Sequence, residues 1–321
     1  MSPNVQAAIT ALLAFGLFSA HDALVKMLGA TYASFQIVFF SVLLGLPFAV
    51  VMLVRDPVEG NLRPVHPWWS ALRTVAVVLT GMGGFYAFST LPLAQVYAIL
   101  FATPLLITVL AIPVLGERVG PRRWGAVVVG LGGVILVLRP GNQPFELGHM
   151  AALLAAVGAA TASITVRRIG KDERPMVLML YPMLANVVVM GATLPFVYIP
   201  MAGTDFAAQA LIALLAFAAT LLMIVSYTRG EAAIVAPMQY SQILWATLYG
   251  ALFFGEPPDL WTGVGAAVVI ASGLYILVRE GSGQRSANRP VLQTRSRPET
   301  GTYLRIGPLL SRAAKSDDDD A

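Results

Sequence analysis

No cysteine occurs among the 321 residues, so disulfides, thiolate catalysis and cysteine-based metal sites are excluded. Histidine is scarce as well. His21, His66 and His149 lie far apart in the chain, and no two stand at i and i+4 on one helix, which argues against an intramembrane metalloenzyme. The phosphate-cradling pattern G-x-x-x-x-G-K-[ST] is missing, so ATP is not the direct source of energy. No cofactor or metal is expected. Charged residues make up only 12% of the chain against 57% hydrophobic ones, and the mean hydropathy is positive. A soluble globular domain does not have that balance; a membrane protein does. The pI near 9.5 reflects basic residues in membrane-flanking loops and the C-terminal tail. No basic face with interleaved aromatics appears, so nucleic acid is not an expected partner.

What is abundant is apolar sequence in runs of about 19 to 25 residues, the length at which a helix crosses about 30 Å of hydrocarbon. Ten such runs can be drawn, at roughly 5–28, 33–54, 68–90, 93–115, 121–139, 147–166, 175–199, 207–228, 231–254 and 260–279. No stretch alternates apolar and polar residues as a membrane barrel would require. Ahead of the first run there is no Lys or Arg, and Phe18-Ser19-Ala20 places a bulky residue where a cleavage site needs a small one. That run is expected to be a retained helix and not a signal peptide. With the N-terminus inside, the inner loops carry Arg55, Arg63, Arg118, Arg122, Arg123, Arg167, Arg168, Lys171, Arg174 and Arg229, against Lys26 and Arg139 outside. Both termini are therefore expected in the cytoplasm of a cell with a bacterial-type inner membrane.

The stretch Leu91 to Arg139 occurs twice. Its second copy runs from Gly230 to Arg279, with Gly116-Glu117 falling on Gly255-Glu256 at an offset of 139 residues. The first and sixth runs repeat at an offset of 141, where Lys26 matches Arg167 and Gly29 matches Gly170. Two halves of five helices follow, 5–139 and 147–279, and because five is odd the second half enters the membrane upside down. The expected fold is all-α: a polytopic membrane protein of ten transmembrane helices arranged as an inverted repeat of two five-helix halves. From residue 280 to 321 the composition changes to Gly, Ser, Arg, Pro and Gln, ending in Asp317 to Asp320, and this tail reads as disordered.

Each half closes with a Gly-Glu loop and a Gly-rich helix, LGERVGPRRWGAVVVGLGGVILVL in one copy and FGEPPDLWTGVGAAVVIASGLYILV in the other. This arrangement resembles the EamA type of the drug/metabolite transporter superfamily over roughly residues 5 to 280. The resemblance implies transport of a small molecule, in a family that includes exporters of amino acids and drugs and importers of S-adenosylmethionine and riboflavin. The stretch SAHDALVKMLG, Ser19 to Gly29, looks like the first helix of the S-adenosylmethionine-uptake branch. One departure stands out: many relatives carry Arg after aromatic residues in the second helix, and here Phe39-Phe40 is followed by Ser41.

Ionisable residues inside hydrocarbon are costly and so mark function by default. Asp22 is the carboxylate well inside a predicted helix, preceded by His21 and followed by Lys26 on the same face. Asp22 and His21 are candidates for coupling or gating, set against a neutralised Asp22–Lys26 ion pair at the outer interface. Tyr97, Phe101, Pro104 and Thr108 fall in a strip of about 60° on a continuous helix four, a plausible cavity wall. Their counterparts in helix nine are Ala236, Tyr240, Ile243 and Thr247, whereas the more polar face there holds Ser241, Gln242, Trp245 and Tyr249. Substrate contact is assigned to Tyr97, Phe101, Tyr240, Gln242 and Trp245. Arg73 and Arg229 are expected to snorkel to the interface. Pro104, Pro113, Pro182, Pro195 and Pro237 are candidate hinges, and Glu117 and Glu256 are read as helix-end caps or loop anchors.

The function these features support is a secondary active transporter for a small neutral, zwitterionic or cationic metabolite, working by alternating access. The competing readings are a passive channel or facilitator for small metabolites, whose sequence would show a filter loop or charged ring, and a multidrug exporter of the same family.

Overall fold

The computed structural model describes residues 3–54, 62–117, 119–139, 145–170, 172–230, 232–257 and 259–282. Arg55, Arg118, Lys171 and residues 283–321 of the expected disordered tail lie outside the described residues. The described residues are all helical or connecting, with no strand among them. The helices are α1 (Pro3–Gly29), α2 (Ser34–Val54), α3 (Pro67–Thr90), α4 (Leu93–Leu100), α5 (Thr103–Leu115), α6 (Pro121–Leu138), α7 (Leu147–Ile169), α8 (Pro175–Val197), α9 (Gly203–Arg229), α10 (Ala232–Val235), α11 (Gln242–Phe253) and α12 (Leu260–Ser282). A 3-10 turn, Ala236–Ser241, joins α10 to α11. Eight spans are long and apolar enough to cross a membrane outright, α4 and α5 counting together as one of them. With the composite α10–α11 segment and α12, ten crossings result.

Helices start where proline costs nothing. Pro67, Pro104, Pro121 and Pro175 sit in first turns, whose N–H groups have no intrahelical acceptor to lose. The two Gly-Glu loops stop their helices by one shared device. Gly116 and Gly255 adopt φ of 69° and 63°, a left-handed turn that a side chain would strain. The following amide then returns to a carbonyl six residues earlier, Glu117 to Ala111 at 3.3 Å and Glu256 to Gly250 at 3.0 Å. In each copy the turn therefore satisfies an orphan carbonyl and aims a glutamate back at the bundle.

Packing joins one half to the other. α3 lies against α7 and α1 against α9, pairs that exchange when the halves are interchanged, while α2 meets α8 and α6 meets α12, the same helix of each half. At the α6–α12 crossing a Cβ on Gly133 would sit 2.8 Å from the carbonyl oxygen of Gly265, and one on Gly265 would sit 2.7 Å from that of Gly133. Gly83 meets Ala151 O and Gly158 meets Ala76 O in the same way across α3 and α7. Gly132, the residue before Gly133 on α6, faces open space instead. Without a hydrophobic drive between helices in lipid, such small-residue contacts supply the association through backbone van der Waals packing.

Candidate functional site

Crossings four and nine are broken at mid-length, so the continuous helix four of the sequence reading is corrected. α4 ends after eight residues, Phe101-Ala102 forms a turn, and α5 restarts with Pro104 in its first turn. Pro104 lacks the N–H that an unbroken helix would bond to Leu100, which is where the ladder lapses. In crossing nine Pro237 lies within the 3-10 turn. The two breaks meet. Phe101 and Tyr240, equivalent in the repeat, pack edge to face with centroids 5.2 Å apart. Discontinuous helices at the interface of inverted repeats are where transporters place their substrates.

Beside this junction α1 contributes the charge. Asp22 and His21 are completely buried. The Tyr97 hydroxyl donates to Asp22 Oδ2, and His21 Nδ1 lies 2.7 Å from Asp22 Oδ1. Ser19 Oγ is 3.3 Å from the Tyr97 hydroxyl, and Gln242 Nε2 donates to that hydroxyl at 3.4 Å. Rings close the cluster: Phe88 at 5.3 Å from Tyr97, Phe101 at 6.1 Å from Tyr97, and Phe85 edge-on to His21 at 5.8 Å. His21 Nε2 is buried, with no hydrogen-bond partner among the described residues. In the tautomer that donates Nδ1–H to the carboxylate, Nε2 is an acceptor open to a donor group of a ligand.

Of the residues singled out in the sequence, the structure brings together His21, Asp22, Tyr97, Phe101, Tyr240 and Gln242. Tyr240 and Gln242 would lie about 160° apart on an α-helix but about 120° apart at three residues per turn, and with the 3-10 geometry Tyr240 meets Phe101 while Gln242 reaches Tyr97. This dissolves the apparent conflict between symmetric and polar faces in helix nine. Trp245 is elsewhere: its ring lies 3.2 Å from where a Cβ of Gly16 would be, and it stacks on Tyr249 at 6.2 Å. The proposed interfacial Asp22–Lys26 pair is also corrected, because Lys26 Nζ binds Glu256 Oε1 at 2.7 Å, donates to Leu91 O at 2.6 Å and lies over the Phe254 ring. Arg73 does not snorkel. It is buried and donates to Leu178 O.

Ser19, Phe85 and Phe88 escaped the sequence reading; for Ser19 a signal was present, a small hydroxyl three residues before Asp22 on one helical face. Glu256 turned out to be a cap in trans, accepting from Leu93 N, the first residue of α4, at 3.1 Å. Gln95 Nε2 lies 3.0 Å from His149 Nε2, tying α4 to α7. A crevice of about 290 Å³ opens between α4, α11 and α12, lined by Gln95, Ala246, Thr247, Gly250 and Glu256 among others. Among the described residues no group of three His, Cys, Asp or Glu is placed to hold a metal.

Tyr240 is seated on Gly273 of α12, where an added Cβ would fall 1.9 Å from the hydroxyl. Gly273→Ala is therefore expected to displace the tyrosine from Phe101 and lower transport about tenfold, the equivalent of about 1.4 kcal/mol. Elution as a monodisperse peak together with reduced uptake checks this; unchanged uptake counts against Tyr240 as part of the site.

Residues 5–139 and 146–278 each match the EamA-like transporter family. Similar proteins include a riboflavin transporter of Rhizobium johnstonii, 26% identical over 75% of this chain and 78% of its own length. An S-adenosylmethionine uptake transporter of Rickettsia bellii is 26% identical over 84% and 92%, and the pseudopaline exporter CntI of Pseudomonas aeruginosa 28% identical over 84% and 93%. A solved crystal structure at 19% identity superposes with a TM-score of 0.60 over 86% of this chain and 99% of its own, a likeness of fold.

Proposed function

Since this chain belongs to the EamA-like transporter family and is a multi-pass drug/metabolite transporter, we propose that it is a secondary active transporter that binds a small organic metabolite at the junction of its two broken crossings. Two five-helix halves alternate access to that junction, in a bacterial-type inner membrane with both termini in the cytoplasm. The observation that carries this reading is Asp22, a carboxylate with no exposed surface set between His21 and the Tyr97 hydroxyl beside the breaks. A carboxylate buried in hydrocarbon is costly to keep and so marks function by default. A proton or a cationic group of the substrate would offset that cost. The rings of Phe101, Tyr97 and Tyr240 suit the flat or cationic part of such a molecule.

Relatives named for riboflavin, S-adenosylmethionine and pseudopaline include both uptake and export, so they support a metabolite and not a direction. The test is reconstitution into liposomes with labelled S-adenosylmethionine, riboflavin and a panel of amino acids, after a thermal-shift screen of the purified protein against the same set. Accumulation above the external concentration, driven by an imposed proton gradient, is the expected result. Flux that runs only downhill and ignores ion gradients would show a passive facilitator instead.

A further inference from the structure

Four charged residues stand outside the junction, and the repeat relates them in pairs. Lys26 and Arg167 end the first helix of each half, and Glu117 and Glu256 follow the left-handed glycine that closes each broken crossing. Each cation is bonded to the glutamate of the other half: Lys26 to Glu256 at 2.7 Å, and Arg167 to Glu117. Ten crossings put the two pairs at opposite ends of the bundle. Arg167–Glu117 lies at the end where α1 begins, and Lys26–Glu256 at the other.

They are not equally closed. The side chains of Arg167 and Glu117 are 8% and 6% exposed, those of Lys26 and Glu256 12% and 20%, and Glu256 also lines the crevice of about 290 Å³. The Lys26 end is further fastened by the Lys26 bond to Leu91 O and by Glu256 capping α4 through Leu93 N. Releasing Glu256 therefore frees the start of the helix that carries Tyr97.

We propose that these two crossed ion pairs are reciprocal gates, one closing each end of the path to the Asp22–Tyr97 junction, and that transport breaks one as the other holds. The inference rests on the alternating-access reading given above. A pair between halves resists separation at its own end alone, so removing it shifts the population toward the state open at that end and closed at the other.

The absence of cysteine lets single reporters be introduced without background. Thr247→Cys reports the end with the crevice, and Ser163→Cys, one turn from Arg167 and buried, reports the other. Alkylation of purified protein by a bulky polar maleimide is timed at each reporter. Glu256→Gln is expected to speed labelling at position 247 about tenfold and slow it at position 163, and Glu117→Gln to do the reverse. The exchanged pair Lys26→Glu with Glu256→Lys restores the ion pair but not the bonds to Leu91 O and Leu93 N, so it is expected to reverse both shifts part of the way to the parent's rates, separating loss of the gate from loss of the fold. Labelling that rises at one end without falling at the other, or changes at neither, overturns the reciprocal gate while leaving transport itself standing. A parent protein that labels fast at both reporters at once overturns alternating access, and the gates with it.

Discussion

Asp22→Asn is expected to reduce gradient-driven uptake by about 100-fold or more, and to leave the melting temperature unchanged or higher. The two readouts part because the substitution keeps shape and removes charge. An asparagine at position 22 still offers an oxygen to the Tyr97 hydroxyl and turns its amide N–H toward His21 Nδ1, which accepts in the other tautomer, so the packing of α1 is retained. What is lost is an ionisable group held in a place with no exposed surface. Such a group is costly to the fold, so its neutral isostere relieves the structure, whereas the transport cycle loses the site that takes up a proton or cation. A loss of about 100-fold corresponds to about 2.7 kcal/mol, within the range expected for removing one charge-assisted contact in a dry site. Uptake in proteoliposomes across a range of pH, with thermal unfolding in parallel, is the measurement. Normal accumulation with an unchanged pH profile would remove Asp22 from the mechanism. A parallel collapse of stability would make its role structural.

The second large effect concerns the crossing of α6 and α12. Gly133→Leu is expected to abolish recovery of monodisperse protein, while Gly132→Leu, one residue earlier, is tolerated. The Cβ of a residue at position 133 would lie 2.8 Å from Gly265 O, 2.9 Å from Val269 Cγ2 and 3.1 Å from Val268 Cβ. The first of these is backbone in a packed helix and cannot yield, so the helices must part. Overpacking in well-ordered cores costs about 1–3 kcal/mol when side chains can adjust, and a leucine against backbone exceeds that range. In lipid the separation also forfeits the close packing that holds helices together. At position 132 an added Cβ meets nothing within 4 Å. Size-exclusion profiles of the two variants decide the matter, and equal behaviour would show that the crossing does not hold the halves.

The neighbouring pair Gly132 and Gly133 shows where reading the chain alone stops. Both belong to the same Gly-rich run, and periodicity places them 100° apart without saying which direction holds a partner. The candidate site behaved similarly. Asp22 and His21 were legible because ionisable residues in an apolar run are conspicuous, and Tyr97 and Phe101 because aromatics recur at helical spacing. That Asp22 would bond Tyr97 and leave Lys26 to Glu256 was not, since helical spacing made Asp22 and Lys26 neighbours and nothing local weighed a residue 230 positions away against one four positions away. The packing of Trp245 was hidden by the same limit. Its polarity and spacing fitted a cavity wall, but the gap left by Gly16 on another helix is what receives its ring.

Sequence by itself determined the class of the protein. Runs of apolar residues long enough to span a bilayer, a repeat with an odd number of helices and the paired Gly-Glu loops establish a ten-crossing inverted architecture, because hydrocarbon demands that backbone polar groups be satisfied within helices. Tertiary structure decided the rest: that two crossings break where Pro104 and Pro237 lie, that Phe101 and Tyr240 meet there, and that each half lends a cation to the other half's glutamate. The physical reason is one of range. Helix formation follows from neighbours within a few residues and from the solvent, whereas ion pairs and ring contacts between helices depend on which faces the packing of glycines lets come together.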